Sequence, residues 1–278
     1  VSATTTGAAR GTRRRGIPSL SSLSSGNLGS VLERNMRVIR NQNWVILVSG
    51  FFEPVLYLLA MGLGMGALVG SVTGPGGRPV EYAAYIAPAL LATSAMNGAI
   101  YDSTWNVFFK LRLSKLYQSM LQTSLGPLDV ALGEILMALF RGLLYALGFL
   151  GVIAVLGLVT SWWALLMVPA AVLIAFGFAA LGMGVTSYLT TFQQMDLINF
   201  VLLPMFLFSA TLYPIGVYPE WIQWLIMGMP LWHGVELMRQ LSVGHFDGLT
   251  WVHSLYFVGM TVLGLALTTL RLRKLFLR

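Results

Sequence analysis

Six runs of mostly apolar residues recur along this 278-residue chain, near 44–69, 82–108, 130–158, 162–190, 197–213 and 251–270. No other feature restricts the fold as strongly. A helix needs about 20 such residues to cross the hydrocarbon of a bilayer. The fifth run is the shortest and carries Pro204, so a kinked or thin span is expected there. Gly and Pro recur within the runs, as membrane helices tolerate. Only 10% of residues are charged, against about 25% in a soluble domain. A soluble globule cannot cover its surface with so few charges, and a disordered chain is polar. The sequence predicts an all-α integral membrane protein with six transmembrane helices.

The basic residues set the direction of the spans. Arg10, Arg13, Arg14, Arg15, Arg34, Arg37 and Arg40 precede the first run; Lys110, Arg112 and Lys115 lie between the second and third; Arg271, Arg273, Lys274 and Arg278 follow the sixth. With six spans these share one side, and only Arg78 and Arg239 fall opposite. The positive-inside rule then places both termini in the cytoplasm. The net charge of +7 is a topology signal, not the mark of a nucleic-acid partner.

Residues 1–27 are Ser-, Thr-, Gly- and Arg-rich and read as a flexible basic cytoplasmic tail. Arg13-Arg14-Arg15 matches a twin-arginine pattern, but no sustained apolar run follows. In 28–43, Leu28, Val31, Leu32, Met36 and Ile39 recur at helical spacing among charges. This predicts an amphipathic helix lying at the membrane interface, ahead of Trp44. Residues 44–278 form the transmembrane domain. The stretch Trp221–Leu231 is too short to span, has Pro219 before it and Pro230 within it, and is rich in Trp. It predicts an outer re-entrant hairpin near 219–241.

Several polar groups sit where hydrocarbon makes them costly. Glu53, followed by Pro54, lies about three turns into the first span. An acidic side chain there costs about 2.5–3.5 kcal/mol on insertion scales, which argues against a lipid-facing position. Contact with a transported molecule, ion coupling and a paired structural carboxyl all fit it. Glu134 and Arg141 share a face of the third span but lie about 10 Å apart along the axis. Arg141 either snorkels, pairs with another helix or lines a cavity. Asp102 and Asp196 read as solvated boundary residues. Gly62, Gly66 and Gly70 form a small-residue stripe that serves a dimer contact or an intrachain seam.

The chain has no cysteine and no GxxxxGK[ST], G-x-S-x-G or H-E-x-x-H pattern. Its three histidines match no metal box. The sequence therefore predicts neither an enzyme nor a chain with a cofactor or metal of its own. The one sizeable inner connection, 109–134, carries an apolar stripe of Leu113, Leu116, Tyr117, Met120 and Leu121 bordered by Lys110, Arg112 and Lys115. It predicts a helix near 110–125 that either lies on the membrane or docks on another protein.

Taken together, FFEPVLYLLAMGLGMG at 51–66, YIAPALLATSAM at 85–96, KLYQSMLQTSLGPLDVALGEI at 115–135 and LFSATLYPIGVYPEWIQWLIMGMPLWHGVELMRQL at 207–241 resemble the permease subunits of type-2 ABC exporters. The likeness is to the nodulation lipo-oligosaccharide and daunorubicin-resistance branch and covers nearly all of 28–275. It implies a permease of the bacterial inner membrane that exports an amphipathic or hydrophobic compound. The implied partners are two copies of a cytoplasmic P-loop ATPase carrying ATP and Mg, a second permease, membrane lipid and the cargo. It further implies that the helix after span two is a coupling helix, with Leu113, Lys115, Leu116, Tyr117, Gln118 and Met120 as contacts. Glu53-Pro54 and Arg141 match positions that the family often fills with an acidic-proline pair and a basic residue. An ion-coupled secondary transporter and an ATPase-linked mechanotransmitter without cargo are the alternatives.

Overall fold

The computed structural model describes residues 28–40, 44–123, 125–159 and 161–276. The tail at 1–27 lies outside the described residues. The chain is all-α apart from one short hairpin, with eleven α-helices among the described residues.

The first helix, α1 (Leu28–Arg40), is amphipathic as its spacing predicts. Val31 is buried against Gly133, and the Asn35 side chain donates to the Gly133 carbonyl. The opposite face is solvated, where Arg37 pairs with Glu33 at 2.6 Å. One face of α1 thus clamps onto the third long helix.

Next comes α2 (Trp44–Leu59), prolonged by π-helical turns over Ala60–Met65 and by α3 (Gly66–Val69). Gly70 closes it at φ +70, a conformation that favours glycine. An antiparallel hairpin follows, β1 (Ser71–Thr73) with β2 (Pro79–Glu81), in which Val72 faces Val80. The sequence reading did not anticipate this pair. Gly76 and Gly77, both at positive φ, make its turn.

The second long helix runs unbroken over Tyr82–Leu113, beginning as α4 (Tyr82–Tyr101) and ending in π-helical turns. A short α5 (Leu116–Leu121) precedes α6 (Pro127–Val155). The Asp129 side chain accepts from the Gly126 amide at 3.0 Å, which starts α6 earlier than the apolar run does. A 3₁₀ turn over Trp162–Leu166 leads into α7 (Met167–Thr186). Then come α8 (Asp196–Phe208), α9 (Glu220–Met227), α10 (Pro230–Val243) and α11 (Gly248–Phe276).

Among the described residues, five helices are long and apolar enough to cross a membrane: Phe52–Val69, Tyr82–Leu113, Pro127–Val155, Trp162–Thr186 and Gly248–Leu275. The sixth expected span is the shorter apolar helix Phe192–Phe208. It stops at Ser209, and Ala210 turns the chain at φ 54. The stretch at 219–241 forms two helices, α9 and α10, neither long enough to span.

The long helices pack around α4, which is almost wholly enclosed. The closest approach is between α7 and α11. A methyl group at Gly264 would lie 2.4 Å from the Ala180 carbonyl carbon, so only a residue without Cβ lets these backbones meet.

Candidate functional site

Helix α8 stands between two clefts of opposite chemistry. The first, of about 380 Å³, opens between α2, α4 and α8 and is lined by Glu53, Tyr57, Asn97, Tyr101, Trp105 and Asn199 among others. Glu53 is exposed on α2, whereas Pro54 behind it is buried. The cleft offers a carboxylate, amides and the edges and faces of aromatic rings. Such groups hold hydroxyl- and amide-bearing ligands. The second cleft, also about 380 Å³, lies between α8, α7 and the end of α4, with Phe178, Val185, Leu189, Val201 and Met205 in its wall. Its surface is almost wholly apolar. Ile100, Ile198 and Leu202 line both clefts, so the two adjoin.

Sequence reasoning had singled out only Glu53-Pro54 from this region. Asn97, Tyr101 and Asn199 are polar interruptions in apolar runs. Asn97 and Tyr101 could have been found by projecting 97, 101 and 105 onto one helical face.

Below the first cleft, charges bind the inner halves of α4 and α6. Arg141 Nε lies 2.9 Å from Asp102 Oδ2, both side chains nearly fully buried. Asn106 donates to the other oxygen of Asp102, and Tyr145 hydrogen-bonds Arg141. Lys110 Nζ pairs with Glu134 Oε2 at 2.5 Å. Asp102 is thus paired with Arg141 and Glu134 with Lys110. Asp102 is not the solvated boundary residue that its place near the end of the apolar run predicted. The helix continues eleven residues beyond it, to Leu113, and carries it inside the bundle. Asp196 is exposed, at the first turn of α8.

The connection after span two departs from one continuous helix at 110–125. Residues Phe109–Leu113 complete the long helix, and Lys115 breaks it with φ 50. No Gly or Pro marks that break. The six-residue α5 then turns Tyr117 fully inward, with Met120 and Leu121 beside it. Arg34 on α1 reaches the Met120 sulfur at 3.8 Å. Burial pushes the Tyr117 phenol well above its ordinary pKa. Leu113, Lys115 and Gln118 are exposed, and Leu116 is half-buried. The apolar stripe seen in the sequence is therefore mainly the seam by which α5 holds to its own chain. The opposite, more polar edge faces outward.

At the other end of the bundle Arg239 holds the hairpin together. Its Nη2 donates to the carbonyls of Ala210 and Thr211 at 2.7 and 3.0 Å, and its Nη1 to Glu236 at 3.1 Å. Its guanidinium lies 3.9 Å over the Tyr85 ring. These bonds brace the left-handed Ala210 turn, which costs on the order of 1 kcal/mol or more for a residue with a Cβ. The sequence reading counted Arg239 only as a charge on the outer side.

The three stripe glycines do different things. A methyl group at Gly62 would meet the Ala83 Cβ at 3.3 Å, so Gly62 sits in an intrachain seam. Gly66 faces open space, and Gly70 makes a turn.

Known proteins match this sequence. Residues 27–242 match the ABC-2 type transporter family. Nodulation protein J of Rhizobium leguminosarum bv. trifolii is 31% identical over 231 residues, which is 82% of this chain and 86% of that protein. The protein of the same name from Sinorhizobium fredii is 31% identical over 212 residues, 76% of this chain and 79% of its own length. That of R. leguminosarum bv. viciae is 29% identical over 81% of this chain and 86% of its own. The polar interruptions, the short connection after the second span and all but the last residue of the helix pair at 220–243 fall within the matched region. The chain belongs to the ABC-2 type transporter family of multi-pass membrane permeases.

Proposed function

We propose that this chain is the permease subunit of an ATP-driven exporter of the bacterial inner membrane, with both termini in the cytoplasm, and that it moves an amphipathic compound outward. The observation that carries the reading is the pair of adjoining clefts on either side of α8. A polar head with hydroxyl or amide groups fits the cleft with Glu53, Asn97 and Asn199. A hydrocarbon tail fits the apolar cleft beside it. A glycolipid, a lipo-oligosaccharide or an amphipathic drug has that division.

Helix α2 supports a second permease in the assembly. Little of Phe52–Val69 is covered by the rest of the chain, yet Glu53 projects from its exposed face. A carboxylate there is disfavoured against lipid. A facing permease, identical or related, encloses it and makes the first cleft one half of a shared path.

Energy comes from a separate P-loop ATPase, two copies per assembly, each with ATP and Mg. Leu113, Lys115 and Gln118 are the contacts offered to it, with Leu116 at the edge. Tyr117 and Met120 act one step behind, passing movement of the connection into α1 and α6. Closure of the ATPases shifts the connection, and the Lys110–Glu134 and Asp102–Arg141 pairs carry that shift into the span walls.

The test is reconstitution of the full chain in liposomes with and without the partner ATPase, using a fluorescent single-chain glycolipid as probe. ATP-dependent appearance of probe in the outer leaflet is expected only with the ATPase. Transport without the ATPase that follows an ion gradient would replace this reading with a secondary transporter. ATPase stimulation with no probe movement, for glycolipid and for an amphipathic dye alike, would replace it with a mechanotransmitter.

A further inference from the structure

His233 on α10 and His253 on α11 meet in buried space, their Nδ1 atoms 2.7 Å apart. The residues are 8% and 2% exposed. At this separation one nitrogen carries a proton and the other presents its lone pair. A second proton between them would set two N–H donors against each other and make one of the rings cationic. No proton would set two lone pairs against each other. The geometry therefore fits one proton between the pair.

The surroundings fix the rings. Tyr256 stacks on His233 with ring centroids 4.0 Å apart, and Trp232 meets the two imidazoles edge-on at 5.0 and 5.3 Å. His233 also bonds the backbone of Met227, the last residue of α9. The Tyr256 hydroxyl donates to the Gly228 carbonyl. One small aromatic cluster thus ties α9, α10 and α11 together.

Few charges are near enough to compensate a second proton. Glu236 on α10 is already paired with Arg239. On α4, Tyr85 lies against Arg239, and Tyr82 bonds the Leu212 carbonyl. Helix α7 and the 162–166 turn contribute no titratable side chain to their packing on α10 and α11. The charges of α6 are engaged with α4 through Asp102, Lys110, Glu134 and Arg141, with Asp129 at its first turn. Glu220 on α9 is exposed, and His245 packs on Gly76 of the strand turn. Among the described residues, Asp247, just before α11, is the one acidic group acting on His253.

We propose that His233 and His253 form a one-proton latch that fastens the α9–α10 hairpin to α11, and that binding a second proton releases it. The latch is closed while one proton lies between the two Nδ1 atoms. It opens as pH falls and a second Nδ1 proton sets donor against donor and leaves a cationic ring in a buried site. The inference stands independently of the cargo and of the driving force.

The chain has three histidines and no cysteine, which makes the test clean. Full-length protein in lipid nanodiscs is labelled with ¹⁵N-histidine and its ring nitrogens are followed from about pH 8 to about pH 3.5. His245→Gln assigns the third, exposed ring. The expected result is one protonated and one bare Nδ1 at high pH, with a coupled second step on acidification. Two rings that titrate independently, or that keep the same tautomer, overturn the proposal.

Opening is read at Ser254→Cys, beside His253, as its labelling by a charged thiol reagent relative to the exposed reference Gly248→Cys. The ratio is expected to rise about tenfold across the same step. His253→Asn keeps a donor near the Nδ1 position and takes no proton, so it is expected to abolish the rise. A flat ratio in the parent, or a rise that survives His253→Asn, overturns the latch. If His253→Asn does not fold, the ring-nitrogen titration of the unsubstituted protein still decides.

Discussion

Arg141 on α6 and Asp102 on α4 form a 2.9 Å ion pair with both side chains nearly fully buried. Leaving either charge alone inside the bundle costs about 3–5 kcal/mol, while removing both costs far less. Arg141→Gln and Asp102→Asn are each expected to lower the thermal midpoint sharply in nanodiscs. The double variant is expected to recover most of the loss. Additive single effects would show that the two charges do not share their energy.

Tyr117 and Lys115 lie two residues apart and face opposite ways. Tyr117→Asp buries a charge and is expected to lose the fold of the connection, with a fall in yield. Tyr117→Phe removes a hydroxyl that has no hydrogen-bond partner among the described residues, so stability should stay within about 1 kcal/mol of the parent. Lys115→Asp leaves packing untouched and is expected to weaken co-purification with the ATPase. Lys115→Gly should stabilise, since its φ of 50 suits glycine. Thermal melts and pull-downs on the same four variants separate packing from docking.

Glu53 is exposed within the cleft, so Glu53→Gln should change the melting free energy by no more than about 0.5 kcal/mol. Probe export under ATP is expected to fall about tenfold, equivalent to about 1.4 kcal/mol of lost interaction. Full export with an unchanged melt would remove Glu53 from the path.

Gly264 and Gly259 sit on the same helix and differ only in what surrounds them. A methyl group at Gly264 meets the backbone of Ala180 and Leu181, whereas Gly259 has open space. Gly264→Ala should push α7 and α11 apart and abolish stable expression. Gly259→Ala should be neutral or raise stability by up to about 1 kcal/mol through helix propensity. Fluorescence-detected size exclusion of both variants checks the contrast.

Much of this fold is legible in the sequence because hydrocarbon imposes a long, simple pattern. Tyr82, Trp162 and the start of α1 fall where the apolar periodicity places them. The break at Lys115 was not legible. It follows from tertiary packing that draws Tyr117 inward, and neither Gly nor Pro announces it. Arg141 was expected either to snorkel, to pair with another helix or to line a cavity. Its partner Asp102 was hidden because an acid near the end of an apolar run reads as solvated. The strand pair at 71–81 carried a signal in Gly74-Pro75-Gly76-Gly77, between Val72 and Val80, that the search for spans passed over. Arg239 and the two histidines could not be seen as anchors, since their partners are backbone carbonyls and rings distant in the chain.

The second long helix has the lowest mean hydropathy of the five and the largest enclosed share, 89% of its most apolar stretch. It also carries Asp102, Lys110 and Arg112. Such a segment gains little by moving alone from the insertion channel into lipid. Its stabilising neighbours α6 and α7 emerge from the ribosome later. Biogenesis must therefore hold this helix at the channel wall until they arrive. The bundle closes around its least apolar long helix, and a chain cut short after α5 leaves that helix without the neighbours that enclose it.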